Sequence, residues 1–146
     1  MGCFDDLFGS SDDSKTPWHR DHPFCVNKVR KHLLETCDKA RKEALLHPRR
    51  RTDVYGFNSK ENTWYICEIK VRWADLQKFE FQLQDTCQYL AWQYPTATVL
   101  PILAIPVNLH DELITYGNWA QVESRCETGN IKIWLIPYRG PIKKLG

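Results

Sequence analysis

A polar segment at 58–62 separates two stretches rich in β-branched and aromatic residues, 51–57 and 63–71. This feature constrains the fold more than any other, because such a pattern predicts a β-hairpin. If the loop between the two strands has four residues, Asn58 faces Thr63. The residue numbers of every opposed pair then sum to 121.

That register brings two carboxylates and an amine to one face of the hairpin. Asp53 lies opposite Glu68, and directly opposed residues have Cβ atoms within about 5.5 Å. Lys70 follows Glu68 by two positions, so both side chains project from the same face. Two close carboxylates repel unless a cation or a proton intervenes. Their oxygens suit Mg²⁺ or Mn²⁺, and an amine beside such an ion can orient water and stabilise charge on a phosphate.

The spacing of these residues resembles a known signature. Asp53, fourteen intervening residues and then Glu68-Ile69-Lys70 are similar to the PD-(D/E)XK nuclease motif, with Thr52 where the motif has proline. The resemblance covers the hairpin and, more loosely, its flanking helices, about half of the chain. A surface ion pair made by Lys70, with Asp53 serving only to start a strand, is the alternative interpretation.

The resemblance implies a metal-dependent nuclease that hydrolyses phosphodiester bonds, with DNA as the expected substrate and Mg²⁺ or Mn²⁺ as cofactor. Asp53 and Glu68 would hold the ion, the Ile69 carbonyl would complete its shell, and Lys70 would position the water. Two other functions stay open. One is a catalytically inactive nucleic-acid-binding module with the same fold, and the other is a partner-binding structural protein.

The remaining elements are predicted from periodicity and from residues that start or stop helices. Apolar positions spaced at 3.6 residues predict a helix from about Pro23 to Leu46 and another from Asp75 to about Gln93. Buried strands are expected at 97–107, where Pro101 and Pro106 favour an edge or a bulge, and at 131–138. This order predicts an α/β fold with a mixed sheet flanked by helices. The resemblance implies a restriction-endonuclease-like core of helix, hairpin, helix and strand, with an extra strand from the C-terminal half or a very short segment.

The resemblance also implies candidate residues on the two helices. A glutamate of the first helix often joins the site in such nucleases. Glu43 lies beside the apolar stripe and Glu35 is placed earlier in the helix, so both remain candidates. On the second helix, Lys78 and Gln82 are similar in placement to residues that adjoin the active site in several branches.

Clustered cations are the candidates for holding a nucleic-acid backbone. The formal net charge of the chain is +2, but residues 1–16 carry −3, which leaves +5 on 17–146. A run of arginines directly precedes Asp53, and guanidinium groups can bind phosphates bidentately. The predicted nucleic-acid contacts are Arg49, Arg50, Arg51, Arg72 and Lys78.

Other features bound the class of protein. The acidic residues 1–16 are predicted to be a disordered tail, and 17–146 a single domain. The absence of an apolar run near 18 residues argues against a membrane-bound protein. Six cysteines without a Cys-x-x-Cys pair suit reduced thiols in a cytoplasmic protein. A zinc set of His19, His22 and Cys25 has no evident fourth ligand, and a homodimer stays open.

Overall fold

The structure, a computed structural model, describes residues 16–145. The predicted acidic tail therefore lies outside the described residues apart from Thr16. The fold is α/β, as predicted, with one mixed sheet of six strands and four α-helices. The elements in chain order are α1 (His22–Leu33), β1 (Lys39–His47), β2 (Arg50–Asn58), β3 (Thr63–Ile69), α2 (Phe79–Gln93), β4 (Thr98–Pro106), α3 (Val107–Thr115), α4 (Trp119–Gly129), β5 (Lys132–Ile136) and β6 (Lys143–Lys144). Short 3₁₀ turns cover Trp18–Arg20 and Trp73–Gln77.

Strands β2 and β3 form the predicted hairpin in the predicted register. Val54 pairs with Cys67 and Asn58 pairs with Thr63, so the opposed residue numbers sum to 121 along the ladder. The side-chain oxygen of Asn58 accepts a hydrogen bond from the Glu61 amide at 3.0 Å, which stabilises the loop between the strands. The register places even-numbered residues of β3 on one face of the sheet.

The sheet runs in chain order from β1 to β6, and its centre is parallel. β1, β2 and β3 form an antiparallel meander, β4 is parallel to β3, and β5 is parallel to β4. The expectation that β4 lies at an edge is wrong, because it pairs on both sides. Its prolines are tolerated because Pro101 precedes the first β5 pair, Ile102 with Lys132, and Pro106 is the last residue of the strand.

Helices cover both faces of the sheet and divide the core into two layers. On one face, α1 packs Val26, Val29 and Leu33 against strand residues that include Val54 and Ile69. On the other face, α2 to α4 pack against the opposite side of the same strands; the buried side chains of this layer include Phe79, Leu83, Leu90, Leu103 and Ile105. None of the helices described between residues 16 and 145 has both the length and the apolar character needed to cross a membrane.

The predicted helix from Pro23 to Leu46 is wrong in its second half. Helix α1 ends at Leu33, and the chain resumes as strand β1 after a turn at 34–38. Residues 39–46 are mostly good helix formers, and pairing with β2 overrides that propensity. An extra strand is expected beside the strand that carries Glu68, from the C-terminal half or a very short segment. In the described sheet the second neighbour of β3 is β4, the strand predicted at 97–107, and the strand that was not predicted, β1, pairs with β2.

The start of the second predicted helix is also displaced. Asp75 lies inside a 3₁₀ turn, and α2 begins only at Phe79, with Lys78 as an N-cap residue that makes no side-chain capping bond. The bend between turn and helix lies directly after the strand that carries Glu68. It sets the direction in which α2 crosses the sheet.

Candidate active site

The carboxylate pair lies where β2 begins and β3 ends. Continuing the ladder one step beyond the Val54–Cys67 pair places Asp53 opposite Glu68. Both belong to the face that also carries Tyr55 and Ile66, which is the face covered by α2. Neighbouring β4 continues the ladder, because the Lys70 amide donates a hydrogen bond of 3.1 Å to the Ala104 carbonyl.

Asp53 is held by two groups. Its Oδ2 accepts a hydrogen bond of 2.8 Å from the Ile69 backbone amide and lies 3.4 Å from the imidazole Nε2 of His22. Burial alone would raise the pKa of Asp53. The hydrogen bonds from His22 and Ile69, with the charges of His22 and Lys70, outweigh burial and hold that pKa below its usual value. Asp53 is therefore the ionised member of the pair.

Glu68 is the protonatable member of the pair. Its side chain is only 9% exposed, and its Oε1 lies 3.5 Å from the amine of Lys70. Burial first, and then the charge of Asp53, raise the pKa of Glu68 from 4.5 to about 7, against the opposing charge of Lys70. A raised pKa in a carboxylate pair signals negative charge that the surrounding protein does not fully neutralise.

His22 is a site residue that the sequence analysis did not predict for this site. Asp21 caps helix α1 by accepting a hydrogen bond from the Phe24 amide, which places His22 in the first turn above the end of β3. Its Nε2 lies 3.1 Å from the Ile69 carbonyl oxygen. A carbonyl can only accept, so Nε2 carries a proton here. The hydrogen bond to Asp53 raises the pKa of His22 above 6.5.

The sequence feature that could have indicated His22 is its position at the start of a helix. The alternative that His19, His22 and Cys25 bind zinc has no support. Cys25 is fully buried and its thiol lies 3.7 Å from the Trp18 carbonyl. Burial, followed by the charge of Asp21, raises the pKa of Cys25 to about 12, which favours the protonated thiol. Among residues 16–145, no three or more His, Cys, Asp or Glu side chains are grouped closely enough to hold a metal ion.

The two candidate glutamates do not lie in the first helix. Glu35 follows the C-terminal end of α1, about 20 Å along the helix from His22, and its side chain is 70% exposed beside His32. Glu43 lies on the exposed edge strand β1 with a positive φ of 53°. Glu35 therefore lies away from the carboxylate pair. Glu43 lies at the register position opposite Asp53, because Lys42 pairs with Val54 and Ala44 with Thr52, but its side chain is exposed and no hydrogen bond between described residues joins it to the pair.

The candidate residues of α2 also make no bond to the pair. Lys78 is exposed at the start of the helix. Gln82 is half-buried, and its Oε1 is a buried acceptor without a hydrogen-bond partner in the described part of the chain. No hydrogen bond between described residues joins Gln82 to Asp53 or Glu68.

The residues predicted to contact nucleic acid are of two kinds: exposed cations, and a cation that already binds a carboxylate of the protein. Arg50 donates to the Asp85 carboxylate at 2.8 Å and lies over the Phe81 ring, so it belongs to the packing of β2 against α2. Arg51 is exposed and donates to the Glu43 carbonyl at 3.0 Å. The side chains of Arg49 and Arg72 are exposed. The strongest candidates for phosphate contact are therefore Arg49, Arg51, Arg72 and Lys78.

Comparison with known proteins identifies no relative for this chain: no protein-family model, curated protein or solved structure matches it.

Proposed function

We propose that this protein is a metal-dependent nuclease that hydrolyses phosphodiester bonds of DNA. One observation carries the proposal. The hairpin register brings Asp53 and Glu68 together at the end of β3, with the Lys70 amine 3.5 Å from Glu68 and the Ile69 amide bonded to Asp53. A packed core needs none of these charged groups, burying them is costly, and clusters of this kind are typical of functional sites.

The order of elements supports a restriction-endonuclease-like core. Helix α1, the meander β1–β3, helix α2 and the parallel strand β4 follow each other in the order of helix, three strands, helix and strand. The acid of β2 and the Glu-x-Lys of β3 lie on the strands that the sequence resemblance implies. This agreement concerns the order of elements and the positions of three residues only.

The donor set suits a divalent cation in part. Two carboxylates and the Ile69 carbonyl are hard oxygen donors. Burial first, and then the charge of Asp53, raise the pKa of Glu68, and a cation would counter the second of these effects. When bound, Mg²⁺ or Mn²⁺ would lower the pKa of a bound water and neutralise charge on the phosphate. Asp53, Glu68 and Ile69 would hold it, and His22 could contribute a nitrogen after losing its proton.

The residues of the chain then have distinct roles. Asp53, kept ionised by His22 and the Ile69 amide, provides a fixed negative charge. Glu68 would supply the second carboxylate, because a bound cation favours its ionised form over the protonated form that burial favours. The Lys70 amine is placed to stabilise negative charge that develops on the phosphate oxygens. Exposed Arg49 and Arg51 flank the start of β2, where they can bind the backbone of a nucleic acid.

A second function has one observation in its favour. The protonated Nε2 of His22 contacts both Asp53 Oδ2 and the Ile69 carbonyl oxygen, two of the atoms that would bind a cation. An imidazolium there would neutralise Asp53 without any metal. This arrangement favours an inactive nucleic-acid-binding module in which His22 serves as an internal counter-ion.

One experiment separates the two functions. Purified protein is incubated with plasmid, single-stranded DNA and RNA in Mg²⁺, Mn²⁺ or EDTA, and divalent-ion binding is measured by calorimetry. The nuclease cleaves in at least one metal and not in EDTA. A protein that binds nucleic acid but neither cleaves it nor binds a divalent ion is the binding module.

A further inference from the structure

A cavity of about 370 Å³ opens beside the carboxylate site, at the carboxyl ends of β3 and β4. Val71, just beyond β3, forms one wall, and Asn108 and Tyr116 of the segment after β4 form another. His19 and Arg20 of the first 3₁₀ turn close the third side. Ligands of open α/β sheets bind in this type of position, and the volume lies within the range of small-molecule sites.

Two residues that line the cavity are close in sequence to residues of the carboxylate site. Val71 directly follows Lys70, and His19 lies one turn before His22, which contacts both Asp53 and the Ile69 carbonyl. A flexible strand bound at the carboxylates thus has the cavity within reach of an adjacent nucleotide. A ligand of the cavity and a phosphate at Lys70 could belong to one molecule.

Two exposed aromatic rings lie together at one side of this cavity. Tyr116 lines the cavity, and its ring lies 6.1 Å from that of Trp73, which lines a neighbouring cavity, with an angle of 31° between the planes. Trp73 is 43% exposed and Tyr116 is 65% exposed, so neither ring contributes mainly to the core. Exposed aromatic rings next to a nucleic-acid site are platforms on which bases stack, because every base has a π-face.

The polar lining suits the edge of a base better than a phosphate. The buried Nδ1 of His19 has no hydrogen-bond partner among the described residues. Asn108, Asp111, Glu112 and Thr115 also line the cavity, and they supply amide, carboxylate and hydroxyl groups. The two carboxylates would repel a phosphate but can accept hydrogen bonds from the amino group of a base. Exposed Arg20 and Arg72 are available for the adjoining backbone.

We propose that this cavity binds one unpaired nucleobase, stacked on Trp73 and Tyr116, of a nucleic-acid strand whose adjoining phosphate lies at the carboxylate site. The inference rests on the proposed function for its placement of the phosphate, while base binding itself requires no cleavage. A site for an unpaired base requires a substrate that is a single strand or a duplex with an unpaired end. A fully paired base cannot reach the cavity because it is stacked inside the duplex.

Binding in EDTA, which suspends metal-dependent cleavage, tests the proposal. The probes are a single-stranded oligonucleotide of about 12 nucleotides, the same strand with abasic positions throughout, and the blunt duplex of the same length. Parallel measurements with DNA and RNA strands show which sugar is accepted. Trp73→Ala and Tyr116→Ala are compared with Trp92→Ala, which removes a ring that is 77% exposed on α2. Circular dichroism verifies folding of each variant.

We expect the wild-type protein to bind the single strand more tightly than the abasic strand. Trp73→Ala and Tyr116→Ala should each weaken binding of the single strand by about five- to a hundredfold. Binding of the duplex and of the abasic strand should stay constant, as should all binding by Trp92→Ala. Trp73→Phe and Tyr116→Phe should retain most of the affinity, because a phenyl ring still stacks.

Loss of affinity to the same extent for all three probes, or unchanged affinity for the single strand, would overturn the proposal. So would a wild-type protein that does not distinguish the single strand from the abasic strand. Failure of the nuclease proposal gives a different result from failure of the base-site proposal. A protein that cleaves blunt duplex as fast as single strand and is insensitive to both substitutions is a nuclease without this base site. One that shows the expected binding pattern and cleaves nothing has the base site without the reaction.

Discussion

The Oδ2 of Asp53 accepts a hydrogen bond of 2.8 Å from the backbone amide of Ile69, the residue between Glu68 and Lys70. The bond joins the first residues of β2 to the end of β3 beyond the last ladder pair. It therefore gives Asp53 a structural role in addition to any role in binding a metal. From the sequence, repulsion between Asp53 and Glu68 suggests that Asp53→Ala stabilises the metal-free fold, and this bond argues for the opposite.

We predict that Asp53→Ala destabilises the metal-free protein by about 1–3 kcal/mol, because the Ile69 amide loses its acceptor. Asp53→Asn, which keeps a side-chain oxygen, should cost less. Both substitutions should abolish metal-dependent cleavage. Urea unfolding in EDTA measures the stability of each variant. Equal or greater stability of Asp53→Ala would mean that relief of repulsion outweighs the lost bond.

Lys70→Ala should reduce the cleavage rate by a factor of about 10²–10³, because the amine acts on charge that develops in the transition state. Affinity for nucleic acid and the melting temperature should change little. Lys60→Ala, which removes an exposed amine in the loop of the hairpin, is the matched control. Loss of binding in step with loss of cleavage would show that Lys70 holds substrate instead of assisting the reaction.

The stability of the metal-free protein should fall as the pH rises from about 4.5 to 7. In that range the folded state keeps a proton on Glu68 that the unfolded chain releases, because burial and Asp53 raise its pKa to about 7. His22 acts in the same direction at higher pH: its raised pKa contributes stability below 6.5 that is lost as the pH passes its folded value. We expect a decrease of about 1–3 kcal/mol from Glu68.

Glu68→Gln removes the contribution of Glu68 to this pH dependence and leaves that of His22. Urea unfolding at several pH values should therefore give a flatter curve for Glu68→Gln between about pH 4.5 and 7. Only at pH values well above the folded pKa of Glu68 should the two curves run parallel. Curves that are parallel over the whole range would show that Glu68 ionises normally in the folded protein.

His22 should influence which divalent ion binds. A nitrogen ligand favours a transition ion over Mg²⁺, so the wild-type protein should bind Mn²⁺ at least about tenfold more tightly than Mg²⁺. His22→Ala should reduce this preference. Glu35→Gln, which changes a glutamate beyond the far end of α1, is the control and should bind both ions as wild type does. Titration calorimetry measures all three proteins, and an unchanged preference in His22→Ala would exclude the imidazole from the metal shell.

The arginines before Asp53 should separate into two kinds. Joint replacement of Arg49 and Arg51 by alanine should reduce the slope of log K against log salt by up to about 2, since each phosphate contact releases about one counter-ion. Arg50→Ala should lower the free energy of unfolding by about 1 kcal/mol, because it removes the bond to Asp85. Salt titrations of binding and urea unfolding measure the two effects. An unchanged slope in the double variant would make Arg49 and Arg51 solubilising residues.

Local pattern determined the hairpin, and the length of its loop fixes the register. Alternating β-branched and aromatic residues predict the two strands, and a four-residue loop opposes Asn58 to Thr63, which buries Val54 and Cys67 on the same face. Asp53 and Glu68 are then opposed by the geometry of the ladder. The second helix and the buried strand β4 were also predictable in type, because apolar periodicity is a property of the local sequence.

Tertiary structure decided the rest. Residues 39–46 favour a helix when taken alone, and only pairing with β2 makes them a strand. Because these residues form strand β1 instead of a helix, Glu43 lies at a sheet edge and Glu35 lies beyond the end of α1. His22 reaches Asp53 although 30 intervening residues separate them, because α1 starts above the end of β3. Contacts between residues distant in sequence depend on how elements pack, and no local pattern in a single sequence encodes that packing.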